Sequence, residues 1–154
     1  MTDTQTCCDE AMNIRLLSPS DMVVVAAIVL INSQNQILIA QRPESKNMAG
    51  LWEFPGGKIQ PHETPEAALV REVHEELGLT ICAGCLYPLT FVSHRYDAFH
   101  LLMPLYGCRQ FDPDVLGSMG AEGQVLKWIK PSELGRYPMP EANRGVIGLL
   151  HDLL

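Results

Sequence analysis

Three glutamates, Glu72, Glu75 and Glu76, stand three and four residues apart in a stretch that also carries Arg71 and Glu63. On an α-helix, which turns ~100° per residue, those steps place side chains side by side on one face. A like-charge pair at four-residue spacing, such as Glu72 and Glu76, costs roughly 0.2–0.5 kcal/mol when exposed and more when desolvated. Lysine, the usual neutraliser of a solvated acidic face, is absent between Lys58 and Lys127. A solvated face is the plain reading. The alternative is a hard divalent cation, Mg²⁺ or Mn²⁺, which takes oxygen ligands from a few carboxylates and leaves other positions to water and substrate phosphates. Gly56 and Gly57, just upstream, permit close backbone approach to a ligand, although a glycine pair alone is as readily a tight turn.

The element that must carry the glutamates is a helix from Pro65 to Leu77. Thr64 supplies an N-cap, Pro65 suits the first turn, and Gly78 stops the helix. Leu69, Val70, Val73 and Leu77 form its apolar stripe, with Glu76 at the border and so partly buried. Met22 to Ile31 reads as a buried strand and Gln36 to Gln41 as a second, paired with it as a hairpin across the Asn32–Asn35 turn. A loop runs from Pro43 to Gly57. Further strands are expected at about Leu86–His94, Phe99–Gly107 and Gln124–Ile129, then a helical turn at Pro131–Leu134 and a closing helix over Glu141–Leu154. The order predicts an α/β (α+β) sandwich in one domain, residues 21–154, after a loose tail of residues 1–20.

The 154 residues are 47% apolar and 19% charged, enough to bury a core. A formal net charge of −7 argues against a polymeric nucleic-acid partner. The longest apolar run is about half of what spans a bilayer. Asp3, Asp9 and Glu10 occupy the place of a basic leader segment, and five cysteines suggest no secreted scaffold, so a cytoplasmic protein is expected. Cys82-x-x-Cys85 lacks the further ligands of a zinc site.

From Gly57 the chain fits G-x5-E-x7-R-E-U-x-E-E-x-G-U, where U is bulky and aliphatic, through Gly57, Glu63, Arg71, Glu72, Val73, Glu75, Glu76, Gly78 and Leu79. This resembles the Nudix box at every fixed position. AQRP at Ala40–Pro43, GLWEFPGGK at Gly50–Lys58, EGQ at Glu122–Gln124 and PEANRGVI at Pro140–Ile147 look like the MutT branch, pyrophosphohydrolases of (deoxy)nucleoside triphosphates.

The resemblance implies a Nudix α/β/α sandwich with a mixed sheet between helices. It implies that Glu72, Glu75 and Glu76 bind Mg²⁺ (or Mn²⁺) with the Gly56 carbonyl, and that Arg71 and Glu63 orient the helix. Glu122 matches a position that supplies one more carboxylate, or it is a loop acid. Glu72, or else Glu122, is the expected general base. Arg42 and Lys58 would contact phosphates, although Arg42 at a strand end suits a surface role equally. Asn143, with Phe54 against the ring, would read a purine edge, unless it merely caps the last helix. Trp52 reads as packing under its loop or as a base-stacking group. The substrate so implied is 8-oxo-dGTP, whose removal prevents miscoding; relatives with similar loops act on CTP or methylated dCTP, and a non-catalytic nucleotide-binding domain is a third reading. The expected partner is a small-molecule nucleotide, with no membrane, for a monomer or homodimer.

Overall fold

The computed structural model describes residues 21–154, and the expected tail of residues 1–20 lies outside them. Among the described residues seven strands and two α-helices follow in order: β1 (Met22–Leu30), β2 (Ile37–Gln41), β3 (Trp52–Glu53), β4 (Gly56–Lys58), α1 (Pro65–Leu77), β5 (Tyr87–Arg95), β6 (His100–Cys108), β7 (Val125–Ile129) and α2 (Arg144–Leu153). Pro131–Arg136 and Glu141–Asn143 are 3-10 turns.

β1 is apolar throughout because both its faces are covered. Ala27, Val29 and Ile31 join Ile37 and Ile39 in a core that includes Val146 and Leu150 of α2. The alternate residues Ala26, Ile28 and Leu30 join Leu38 and Ala40 beneath Leu69, Val73 and Leu77 of α1. This period-two division places the helices on opposite sides of the sheets, as a sandwich requires. Ala68 is buried in the stripe of α1, whereas Val70 is only half-buried. In α2, Val146 and Leu150 are buried, whereas Leu149 and Leu153 are exposed.

The β1–β2 hairpin is not formed. β1 is flanked by β4, antiparallel, and β6, parallel, giving a mixed sheet in the order β4-β1-β6-β5. β2 pairs with β3 and β7 in a separate antiparallel sheet. The Asn32 side chain accepts from the Gln34 and Gln36 amides at 3.0 and 2.9 Å, the Asn32 amide donates to the Gln36 carbonyl at 3.0 Å, and strand pairing across the turn stops at the Ile31–Ile37 bridge. Both edges of β1 are taken, so β2 must pair elsewhere. Among the described residues no helix is long and apolar enough to cross a membrane.

Candidate active site

α1 starts where Thr64 accepts from the Ala67 amide at 3.1 Å and ends where the Gly78 amide donates to His74. β4 lies antiparallel to β1, with Gly56 opposite Ala27 and Gly57 opposite Ala26. Both glycines are required by close approach. A Cβ on Gly56 would stand 2.1 Å from the Ala26 carbonyl oxygen, and one on Gly57 would stand 2.3 Å from the Glu72 carboxyl carbon. The Glu72 carboxylate therefore rests on bare backbone.

Arg71 ties this corner together. Its Nε and Nη2 donate to the two oxygens of Glu63 at 2.6 and 2.9 Å, Nη1 donates to Glu72 at 2.7 Å, and Nη2 also reaches the Lys58 carbonyl at 3.2 Å. The Arg71 hydrogen bond, then the Gln60 amide, holds the Glu63 carboxyl down at about 2, while the hydrogen bonds to Glu63 and then Glu72 raise the pKa of Arg71 well above its ordinary value. Glu75 takes the weakest of these contacts, 3.5 Å from Arg71, with 53% of its side chain exposed.

Glu76 is different in kind. Its carboxylate accepts a long hydrogen bond, 3.4 Å, from the Gly56 amide and has no cation partner among the described residues. Burial first, then the like charges of Glu72, Glu53 and Glu122, push it up to about 8, against the Gly56 hydrogen bond. The Ala121 amide donates to the Glu76 carbonyl at 2.7 Å, which brings the loop bearing Glu122 to the end of α1. Glu53, Glu72, Glu76 and Glu122 all line one cleft of about 620 Å³. The donors suit a hard divalent cation: all oxygen, partly desolvated and under-neutralised. No three of the described His, Cys, Asp or Glu side chains yet stand close enough to cage an ion, and Glu75 lies outside the cleft lining.

These observations recover the signature corner in three dimensions, and the NUDIX domain family model matches residues 26–149. The chain belongs to the Nudix family. It is a Nudix pyrophosphohydrolase with MutT-like relatives. It is similar to CTP pyrophosphohydrolase of Escherichia coli (strain K12), 40% identical over 121 residues that cover 78% of this chain and 84% of the relative. It is also similar to 8-oxo-dGTP diphosphatase of the same organism, 33% identical over 129 residues, 84% of this chain and 96% of that one. A solved structure from a study of MutT of Aliivibrio salmonicida and Vibrio cholerae superposes with a TM-score of 0.70 at 32% identity, over 86% of this chain and 99% of that chain.

The Nudix cleft is lined by more than carboxylates. Phe54 and Asn143 line it, both buried. Asn143 does not cap α2 with its side chain, and its amide, in a residue only 5% exposed, lines the cleft with no hydrogen bond among the described residues. Arg42 lines it too, but donates to Glu53 at 2.7 Å and to the Asn47 carbonyl at 2.8 Å; Lys58 is exposed at the rim. Trp52 packs edge-on against Tyr137 at 5.3 Å and is not part of the lining.

Sequence reasoning passed over Glu53, Lys46, Tyr96 and Phe99, all in the lining. Tyr96 and Phe99 face each other at 5.0 Å across the β5–β6 turn, and two aromatic rings in so short a turn were the available signal. Cys82 and Cys85 are free and sit on a 3-10 turn after α1.

Proposed function

We propose that the chain hydrolyses a nucleoside triphosphate to the monophosphate and pyrophosphate with Mg²⁺, Mn²⁺ serving as a substitute, and that 8-oxo-dGTP is the substrate. One observation carries this reading. Glu76 is a half-buried carboxyl with no cation partner among the described residues, and it shares one cleft with three more carboxylates, a buried phenyl ring and a buried amide that has no hydrogen bond among those residues. Leaving acidic groups so poorly neutralised is destabilising unless a cation joins them.

Glu72, Glu75 and Glu76 would hold the ion with the Gly56 carbonyl, and Glu122 would complete the set. Glu75 must turn in from Arg71 to do so, a change open to a half-exposed side chain. Once bound, the ion supplies charge neutralisation on the phosphates and a more acidic attacking water. Glu72, hydrogen-bonded by Arg71 at 2.7 Å and lying against Gly57, would take the water's proton. Glu63 holds Arg71 and so fixes the bearing of α1. Arg42 and Lys58, which line the same cleft, would meet phosphate oxygens; Arg42 must first leave Glu53.

The Asn143 amide offers a donor and an acceptor together, which suits the edge of an oxidised guanine, with Phe54 against the ring. A second reading, CTP as substrate, is favoured by the 40% identical Escherichia coli relative of that name. Turnover of 8-oxo-dGTP, dGTP, CTP and ADP-ribose with Mg²⁺, with products identified, tests both. The first reading requires 8-oxo-dGTP to have the highest kcat/KM and pyrophosphate to be released. A preference for CTP would replace it with the second, and no turnover of any triphosphate would refute both.

A further inference from the structure

The cleft carries four carboxylates, from Glu53, Glu72, Glu76 and Glu122, against three basic side chains, from Arg42, Lys46 and Lys58. Arg42 is engaged twice, by Glu53 and by the Asn47 carbonyl. Lys46 makes a single ion pair, Nζ to Oε2 of Glu122 at 3.1 Å, across 76 residues of sequence.

That pair is not what shapes either loop. The Lys46 loop is closed by the Arg42 amide on the Leu51 carbonyl at 2.9 Å and the Gly50 amide on the Arg42 carbonyl at 3.0 Å. Met48 within it holds a left-handed backbone, φ 59°. The Glu122 loop is closed by the Ala121 amide on the Glu76 carbonyl and by the Glu122 amide on the Gln124 side chain at 3.0 Å. Both partners are close to half exposed, at 48% and 44%, and an exposed ion pair is weak and readily exchanged.

We infer that Lys46 is a triphosphate-binding residue that yields Glu122 to the metal ion and takes the phosphate chain in its place. The inference rests on the pyrophosphohydrolase reading, with Glu122 as a ligand. A divalent ion arriving at Glu122 competes with the ammonium for the same oxygens, and the stronger charge wins. The freed ammonium, on a flexible four-carbon stem, then stands in the same cleft as an anion that needs donors. Metals of this class grip the outer phosphates, so Lys46 serves the triphosphate and not the monophosphate product. Lys46 therefore acts with opposite sign in the two states: it opposes the ion when the cleft is empty and favours the triphosphate when the ion is present.

The test uses Lys46→Met and Lys46→Arg in the full chain. Mn²⁺ affinity is measured by electron paramagnetic resonance without nucleotide. Binding of α,β-methylene dGTP and of dGMP is measured by calorimetry with Mg²⁺. Lys46→Met should bind Mn²⁺ about 2–5-fold more tightly and the triphosphate analogue about 5–20-fold more weakly, with dGMP changed less than about 2-fold. Lys46→Arg should restore triphosphate binding. Unchanged triphosphate affinity, equal losses for both nucleotides, or Mn²⁺ binding that fails to tighten would each overturn the inference. An unaltered protein that turns over no triphosphate would sink the underlying reading and the inference with it. Turnover by the unaltered protein alongside a silent Lys46→Met sinks the inference alone.

Discussion

Replacing Glu76 by Gln keeps the shape of the side chain and its acceptor for the Gly56 amide, and removes only the ability to ionise. In the folded protein without metal the Glu76 carboxyl is pushed from 4.5 up to about 8, by burial and then by Glu72, Glu53 and Glu122. The native state therefore binds this proton more tightly than the unfolded chain does. Its contribution to stability is full below pH 4.5 and is lost as pH rises through 8. A carboxyl held that far from its ordinary value resists ionisation by about 5 kcal/mol as an upper bound. Water entering an open cleft reduces this, and about 2–4 kcal/mol is expected in practice. Metal-free Glu76→Gln should thus melt roughly 6–12 °C above the unaltered protein at pH 8.5 and within about 2 °C of it at pH 4.5. Differential scanning calorimetry in chelator at both pH values measures the gap. Adding Mg²⁺ at pH 8.5 should stabilise the unaltered protein and leave the variant where it was. A variant less stable than its parent at pH 8.5, or a gap independent of pH, would show that Glu76 is not a desolvated, under-neutralised acid.

Three further outcomes follow from the same geometry. Gly57→Ala places a methyl 2.3 Å from the Glu72 carboxyl carbon, so it should fold yet lose about 100-fold or more in kcat, read by steady-state kinetics beside circular dichroism. Arg71→Ala strands Glu63 and Glu72, and should lower stability by about 1–3 kcal/mol in urea titration with a 10–100-fold loss of activity. Asn143→Ala removes an amide with no hydrogen bond among the described residues, so denaturation should register under about 1 kcal/mol. Discrimination of 8-oxo-dGTP from dGTP should nevertheless fall about 10-fold, and equal losses on both nucleotides would remove Asn143 from base reading.

What was legible in the sequence was what is local. Thr64, Pro65 and Gly78 mark both ends of α1, and the three- and four-residue steps of its glutamates predict their shared face. The apolar run of β1 announces a strand buried on both sides. Strand pairing was not legible, because Asn32–Gln36 looks alike whether it returns a chain to its neighbour or passes it to another sheet. Only the distant competitors β4 and β6 decide the matter. The same holds in the site. Glu63 and Arg71 lie within one helical segment and its approach, whereas Lys46 and Glu122 meet across 76 residues. Glu53 drew no notice because a carboxylate in a two-residue strand has no pattern; its weight comes from sharing a cleft with Glu76. Asn143 preceding a helix invited a capping role, and only the structure shows its amide uncommitted.

In the proposed function the carboxylates of α1 hold the ion on which triphosphate hydrolysis depends. Release of pyrophosphate from 8-oxo-dGTP, followed with Mg²⁺ and with chelator for the unaltered protein and Glu76→Gln, tests it most directly. Turnover is expected only for the unaltered protein with Mg²⁺, with a loss of about 1,000-fold or more in the folded variant. Turnover that survives chelation, or that survives in Glu76→Gln, would contradict it.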